Sequence, residues 1–161
     1  MTPEVRATAA GDVPALCALQ ARIIRIGGTT AYETPLDEAG FARAYLTRPE
    51  LICCHAALTG ARAAGFQALS RHAALPGDWA DIGTFVDPDL QRCGAGQALF
   101  AATLAFARDA GLAAINATIR ADNRPGLAYY RRIGFRDYGA EPGFAIQSGR
   151  IVGRLHCRFD L

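Results

Sequence analysis

The sequence has no long apolar run. No segment approaches the roughly 18 to 20 apolar residues that a membrane-crossing helix needs. The opening residues, Met1-Thr2-Pro3-Glu4, lack the basic start and apolar stretch of a signal peptide, so a cytosolic chain is expected. Charge of one sign is also scarce. The formal net charge is +2, and the basic residues are mostly arginine and scattered, so no stripe suited to nucleic acid exists. Cysteine is sparse and odd in number. Cys17, Cys53, Cys54, Cys93 and Cys157 include no Cys-x-x-Cys pair, and reduced thiols are the simplest reading. Cys53-Cys54-His55 is the one hint of a metal. On a strand, neighbouring residues face opposite ways, so only Cys53 and His55 share a face. Two ligands make a poor site, and buried strand cysteines without metal are expected. Repeats, low-complexity runs and linkers are also missing. The 161 residues therefore predict one domain over 1–161, long enough to bury a core.

What the sequence does have is a glycine turn between two strong elements. Trp79 to Val86 reads as a short strand. Gln97 to Ala110 reads as a helix, with Leu99, Phe100, Thr103, Leu104, Phe106 and Ala107 at helical spacing. Between them lies Gln91-Arg92-Cys93-Gly94-Ala95-Gly96. A strand, a tight glycine loop and a helix start leave backbone N–H groups unpaired at the positive end of the helix dipole. Such a turn suits a phosphate, and Gln91 and Arg92 add polar donors. Two common phosphate loops do not fit. No lysine follows Gly96, which the P-loop needs, and Leu99 stands where the dinucleotide fingerprint has its third glycine.

Around this turn the chain reads as alternating strands and helices. Glu4 to Ala9 is a short strand, and Asp12 caps a helix to Ile26 with Leu16, Leu19, Ile23 and Ile26 on one stripe. Gly27-Gly28 stops it. A polar loop with Tyr32 and Glu33 leads to a second helix over Leu36 to Thr47, with Phe41, Ala44 and Tyr45 inward. Leu51 to Leu58 and Ala61 to Ser70 form a hairpin across Thr59-Gly60, with a bulge at Gly65. Ala113 to Arg120 is another strand. A short helix from Arg124 or Pro125 ends near Ile133, before Gly134. Phe135 to Tyr138 and Ile151 to Phe159 supply the last strands. The order is strand, two helices, three strands, helix, strand, helix, two strands, which predicts an α/β sandwich around one mixed sheet.

Gln91-Arg92-Cys93-Gly94-Ala95-Gly96 fits the pattern Gln/Arg-x-x-Gly-x-Gly/Ala, and so resembles the acetyl-CoA loop of the GCN5-related N-acetyltransferases (GNAT). A second segment, Asn123 to Phe135, is similar to that family's other signature: an Asn opening a short helix, then Tyr130, then Gly134-Phe135. The element order resembles the family over nearly the whole chain. Thr29 to Pro35 and Asp81 to Pro88 look like its phosphinothricin and methionine sulfoximine branch. The resemblance implies a mostly antiparallel sheet that splays at an acetyl-CoA site, a small-molecule amine as partner, and a homodimer. It places the pyrophosphate on the backbone of Arg92, Cys93, Gly94, Ala95 and Gly96. Phe85 and Val86 would offer backbone N–H to the acyl carbonyl.

Side-chain roles follow from the same resemblance and from residue chemistry. Asn123 can donate and accept toward a pantetheine arm, or it can be a helix cap. Tyr129 and Tyr130 are adjacent, so one should pack and the other face the cleft; the family pattern chooses Tyr130. A neutral phenol can donate to a departing thiolate. Asp81 stands where the branch carries a Glu, one methylene longer, and is the candidate base, through a water if reach is short. Glu33 is its rival and, with Tyr32, a candidate substrate contact; His72 and His55 rank lower. Cys93 is read as a small packing residue. The chemistry expected is direct transfer of acetyl to the primary amine of a small molecule, of the amino-acid or amino-acid-analogue class. A non-catalytic acyl-CoA sensor and an enzyme acting on protein amines are the alternatives.

Overall fold

The computed structural model describes residues 2–161, and these form one seven-stranded sheet between helices. The elements run β1 (Glu4–Ala7), α1 (Val13–Ile26), α2 (Glu38–Ala42), β2 (Leu51–Thr59), β3 (Arg62–Ser70), β4 (Trp79–Val86), α3 (Ala95–Asp109), β5 (Ala114–Arg120), α4 (Arg124–Arg132), β6 (Arg136–Glu141) and β7 (Arg154–Asp160). This is the order expected from the sequence. Asp37 starts α2 by accepting from the Gly40 N–H at 2.6 Å, and the helix widens into a π-turn over Arg43–Thr47. Asp12 departs from expectation. Its side chain does not cap α1; it accepts from the Ala9 N–H and pairs with Arg6.

The strand order is β1-β2-β3-β4-β5-β7-β6, antiparallel throughout except between β4 and β5. Thr59 pairs with Arg62 across the hairpin, where Gly60 takes φ +60°. Ala57 faces Gly65 and Leu58 faces Ala63, so Ala64 is the extra residue of a bulge beside Gly65. A Cβ on Gly65 would stand 2.6 Å from the Phe85 carbonyl oxygen. Only glycine lets β3 stay paired to the end of β4.

Period-two alternation sorts the core onto two faces. Leu16 and Ile23 of α1 and Phe41 of α2 pack on Phe66, Ala68 and Phe85. The Phe66 and Phe85 rings stack 4.8 Å apart. On the other face, Phe100 and Ala107 of α3 and Leu127 and Tyr130 of α4 cover Leu69, Ala80, Ile82 and Ile115. Cys53 and Cys54 go to opposite faces as a strand requires. Two residues expected on inward stripes are not buried. Ile26, 61% exposed, is the last residue of α1. Phe106, 44% exposed, lies in the last turn of α3 and packs edge-on against His55 instead. Among the described residues, no helix is long and apolar enough to cross a membrane.

Candidate active site

The sheet is cracked at its one parallel seam. Strands β4 and β5 pair only through Trp79–Ala114, Ala80–Ile115 and Asp81–Asn116. Beyond that point β4 continues beside β3 as far as Val86, and β5 continues beside β7 as far as Arg120. The facing edges, Ile82–Val86 and Ala117–Arg120, have no ladder bonds to each other. Backbone N–H and C=O groups need partners, so this opening fits the extended, amide-bearing arm of a cofactor. It is the splay that the family resemblance implied. Phe85 does not serve the gap as expected: its ring turns into the core, and its backbone faces β3, on the same side as the Asp87 N–H that donates to Ala64, so the groups facing the gap at this end are those of Thr84 and Val86.

At the end of β4 the chain is held before it turns. Asp87 is 2% exposed. It accepts from the Asp89 N–H at 2.9 Å, from Arg22 at 2.9 Å and from Arg62 at 2.5 Å. Burial disfavours its charge, but those donors and guanidinium groups hold its carboxyl below the usual range. Sequence reasoning missed this tether, because Arg22 and Arg62 lie far off in the chain.

The glycine loop follows. Arg92 is the only non-glycine residue with positive φ among those described, at 71°, a conformation that costs of order 1 kcal/mol. Gly94 takes φ 86° and precedes α3, which begins at Ala95 rather than Gln97. No side chain caps the helix, so the N–H groups of its first turn remain free for an anion. Gln91 and Arg92 are exposed, and Cys93 packs partly buried beside Val86 and Leu90. Gly96 has a packing reason as well. A Cβ there would come 2.8 Å from the Tyr129 ring, and the Tyr129 hydroxyl donates to the Gly96 carbonyl at 2.7 Å.

The two tyrosines of α4 correct the expectation that they diverge. Their rings pack edge to face at 5.0 Å. Adjacent helical positions differ by about 100°, not 180°, so two long side chains can lean toward one polar pair. That pair is Gln67 of β3 and Thr84 of β4. Gln67 Nε2 donates to Thr84 Oγ1 at 2.9 Å and reaches the Tyr129 hydroxyl at 3.4 Å. Thr84 Oγ1 lies 2.8 Å from the Tyr130 hydroxyl. Burial pushes the Tyr129 phenol up to about 12. Burial, with Tyr129 alongside, raises that of Tyr130 further, while Thr84 acts the other way. Both phenols are neutral at neutral pH.

Asp81 lies on the opposite face of β4, at the vertex of the crack. Asn116 Nδ2 donates to its Oδ1 at 2.7 Å and to Thr118 Oγ1 at 3.0 Å. The Tyr138 hydroxyl donates to Asn116 Oδ1 at 2.5 Å and fixes the amide. Burial raises the Asp81 pKa; the Asn116 donor and the charges of His72, Arg48 and His156 oppose that rise. Next along the sheet, His156 sits between Thr118 at 3.0 Å and Glu141 at 2.6 Å. His72 is exposed and accepts from the Ala74 N–H, whereas His55 lies on the α3 face near Thr103 with its pKa lowered by burial. Asn116 was not legible, since only the β4–β5 register brings it to Asp81.

The loop after α1 closes over the far end of β5. Asn123 accepts from the Gly126 N–H at 3.0 Å, capping α4, and donates to the Thr29 carbonyl at 3.0 Å. Arg120 donates to the Thr30 carbonyl at 3.0 Å. Glu33 accepts from the Ser148 N–H at 2.5 Å, which ties this loop to the β6–β7 connection. Glu33 is therefore a loop tie with one carboxylate oxygen left, and Asn123 is a cap and clamp with one N–H left. Tyr32 is 48% exposed beside Tyr45. Among the described residues, no three His, Cys, Asp or Glu side chains gather to hold a metal.

Residues 21–135 match the model of the acetyltransferase (GNAT) family. The chain belongs to the GNAT family. Two curated relatives are mycothiol acetyltransferases. That of Actinosynnema mirum is 35% identical over 85 residues, covering 53% of this chain and 28% of the relative. That of Clavibacter michiganensis is 48% identical over 52 residues, 32% of this chain and 17% of the relative. The chain thus spans less than a third of these relatives. Among solved GNAT structures, a phosphinothricin acetyltransferase from Sinorhizobium meliloti in complex with acetyl-CoA has a TM-score of 0.87 at 20% identity, covering 100% of this chain and 89% of that one. A ribosomal-protein-alanine N-acetyltransferase from Brucella melitensis has a TM-score of 0.86 at 21% identity, covering 98% and 99%. Likeness at these identities shows the shared fold.

Proposed function

We propose that the chain is an acetyl-CoA-dependent N-acetyltransferase acting on the primary amine of a small molecule, of the amino-acid or amino-acid-analogue class. One observation carries this. The crack in the sheet has a phenol on one face, Tyr130 at Thr84, and a carboxylate on the other, Asp81 at Asn116. An amine can enter from the Asp81 face and a thiolate can leave toward the Tyr130 face. Direct attack needs that separation, and a sensor that only binds acyl-CoA needs neither group.

Acetyl-CoA supplies an activated acyl thioester. The chain's own residues do the rest. The amides of Arg92, Gly94, Ala95 and Gly96 at the α3 N-terminus take the pyrophosphate, while that of Cys93 already donates to the Leu90 carbonyl at 3.2 Å. The free β4 edge, with the backbone of Thr84 and Val86, takes the pantetheine, and the Val86 N–H polarises the carbonyl. The remaining N–H of Asn123 can meet the same arm. Asp81, directly or through a water, accepts the proton that the amine loses, and Tyr130 donates to the departing sulfur. Tyr32 and Glu33, on the clamped loop, border the acceptor. The proposal extends to a cytosolic homodimer; the five unpaired thiols suit a reducing compartment.

The test is thiol release from acetyl-CoA against amino acids, phosphinothricin, methionine sulfoximine and short peptides. Turnover with a free amino acid or analogue, and little with peptides, is expected. Preference for peptides would move the acceptor to protein amines. Tight acetyl-CoA binding with no turnover on any amine would favour the sensor.

A further inference from the structure

Between β3, β4 and α4 a buried polar chain runs from Gln67 through Thr84 to Tyr130. Gln67 is fully buried and Tyr130 is 7% exposed. The hydrogens of this cluster can be counted. The two N–H bonds of Gln67 Nε2 have two acceptors within reach, Thr84 Oγ1 at 2.9 Å and Tyr129 Oη at 3.4 Å. Turning the amide over would leave both N–H groups without an acceptor, and orphaned buried N–H groups are rare. Gln67 Oε1 has no partner, the lesser penalty. Tyr129 gives its own proton to the Gly96 carbonyl at 2.7 Å. Thr84 also neighbours the Tyr129 phenol, but among the described residues its one hydroxyl contact with hydrogen-bond geometry is that to Tyr130 at 2.8 Å, and two hydroxyl protons remain for it. One of them must be surplus.

If Tyr130 donated to Thr84, two donors would converge on one oxygen and the surplus proton would sit on threonine. If Thr84 donates to Tyr130, the bonds run head to tail from Gln67 to Thr84 to Tyr130. Each acceptor is then polarised as a donor, which is the cooperative arrangement. The surplus proton is the phenol's, and phenol is much the stronger donor.

We propose that Thr84 is the positioning residue of Tyr130: its hydroxyl donates to the phenol oxygen, so the phenol proton has no protein acceptor and points to the sulfur in the splay. This rests on the acetyl-transfer reading of the site. Thr84 touches no reacting atom itself. Gln67 sets the direction of the chain, and the carbonyl it leaves unpartnered is the cost of doing so.

The experiment needs no acceptor amine. CoA and acetyl-CoA are titrated calorimetrically into the full chain at pH values about one unit either side of an ordinary thiol pKa of about 8.5. CoA binding should tighten with pH relative to acetyl-CoA, because only CoA can present a thiolate. Thr84→Val removes the hydroxyl and keeps the β-branched shape. It should erase most of that preference, by about tenfold, and leave acetyl-CoA affinity within about twofold. Thr84→Ser should restore it. Thr84→Ala serves as the second hydroxyl-free variant if valine disturbs the strand. In a Tyr130→Phe background, Thr84→Val should change nothing further. If Tyr130→Phe abolishes the preference and the Thr84 variants keep it, the positioning role is wrong and the Tyr130 reading stands. Additive losses in the double variant also overturn it, since Thr84 would then act independently. A wild type without thiolate preference, or one unaffected by Tyr130→Phe, removes both.

Discussion

Tyr130, the proposed acid, keeps its proton because burial disfavours the phenolate, and at Asp81, the proposed base, Asn116 resists the same effect of burial on a carboxyl. At the scale of single residues these are separable. Tyr130→Phe should slow the chemical step by about 10² to 10⁴ while acetyl-CoA affinity hardly moves; single-turnover kinetics reads the two apart. Tyr129→Phe should spare turnover. It loses the bond to Gly96 and leaves one Gln67 N–H unpaired, so a loss of about 1 to 2 kcal/mol in urea unfolding is expected. Asp81 has a folded-state pKa above its ordinary value. The ionised base therefore accumulates only above that higher pH, and kcat/KM should fall as pH drops through it. Asn116→Leu removes a donor that favours the carboxylate, so the acid limb should move to higher pH. A limb that stays in place would separate Asn116 from the base.

At the scale of elements, the proposed function gives the glycine loop and the clamped loop different substrates. Gly94→Val forces a β-branched residue to φ 86°, and Gly96→Val drives a side chain into the Tyr129 ring. Both should weaken acetyl-CoA binding in calorimetry by more than Arg92→Ala, whose side chain is exposed. Asn123→Ala removes a helix cap, costing about 1 kcal/mol, and frees the Thr29 carbonyl. Its larger effect should be a raised KM for both substrates, for the amine through the loosened loop and for acetyl-CoA through the lost contact with the pantetheine arm. A change in the amine KM alone would leave Asn123 a cap and clamp only.

The same elements show what a sequence reveals. Strand and helix order, the Gly94 turn and the Asn123–Tyr130 helix were legible because their signals are local: periodicity, glycine spacing, a cap before an apolar run. Thr84, Gln67, Asn116 and Asp87 were not. Each gains its role from a partner on another strand or helix, such as the Gln67–Thr84 rung or the Asp87 grip on Arg22 and Arg62. Glu33 was singled out for substrate, yet its carboxylate is engaged by Ser148, a residue 115 positions away. The convergence of Tyr129 and Tyr130 was hidden for the same reason, since the helix alone does not say what both hydroxyls can reach.

On the scale of the whole molecule, the crack divides the sheet into β1–β4 and β5–β7–β6, joined by three rungs ending at Asp81 and Asn116. Those rungs act as a pivot, and the two half-sheets are leaves that can breathe about it. A pantetheine arm seated between the leaves would stitch them with the bonds the ladder leaves out. Amides of Ile82–Val86 and Ala117–Arg120 that face the gap should exchange with deuterium faster than their neighbours in the empty protein, and slow when acetyl-CoA binds. In the proposed function the co-substrate would then serve as a removable seam: what is consumed would also splint the sheet, and each turnover would end by loosening the sheet that must let the product go.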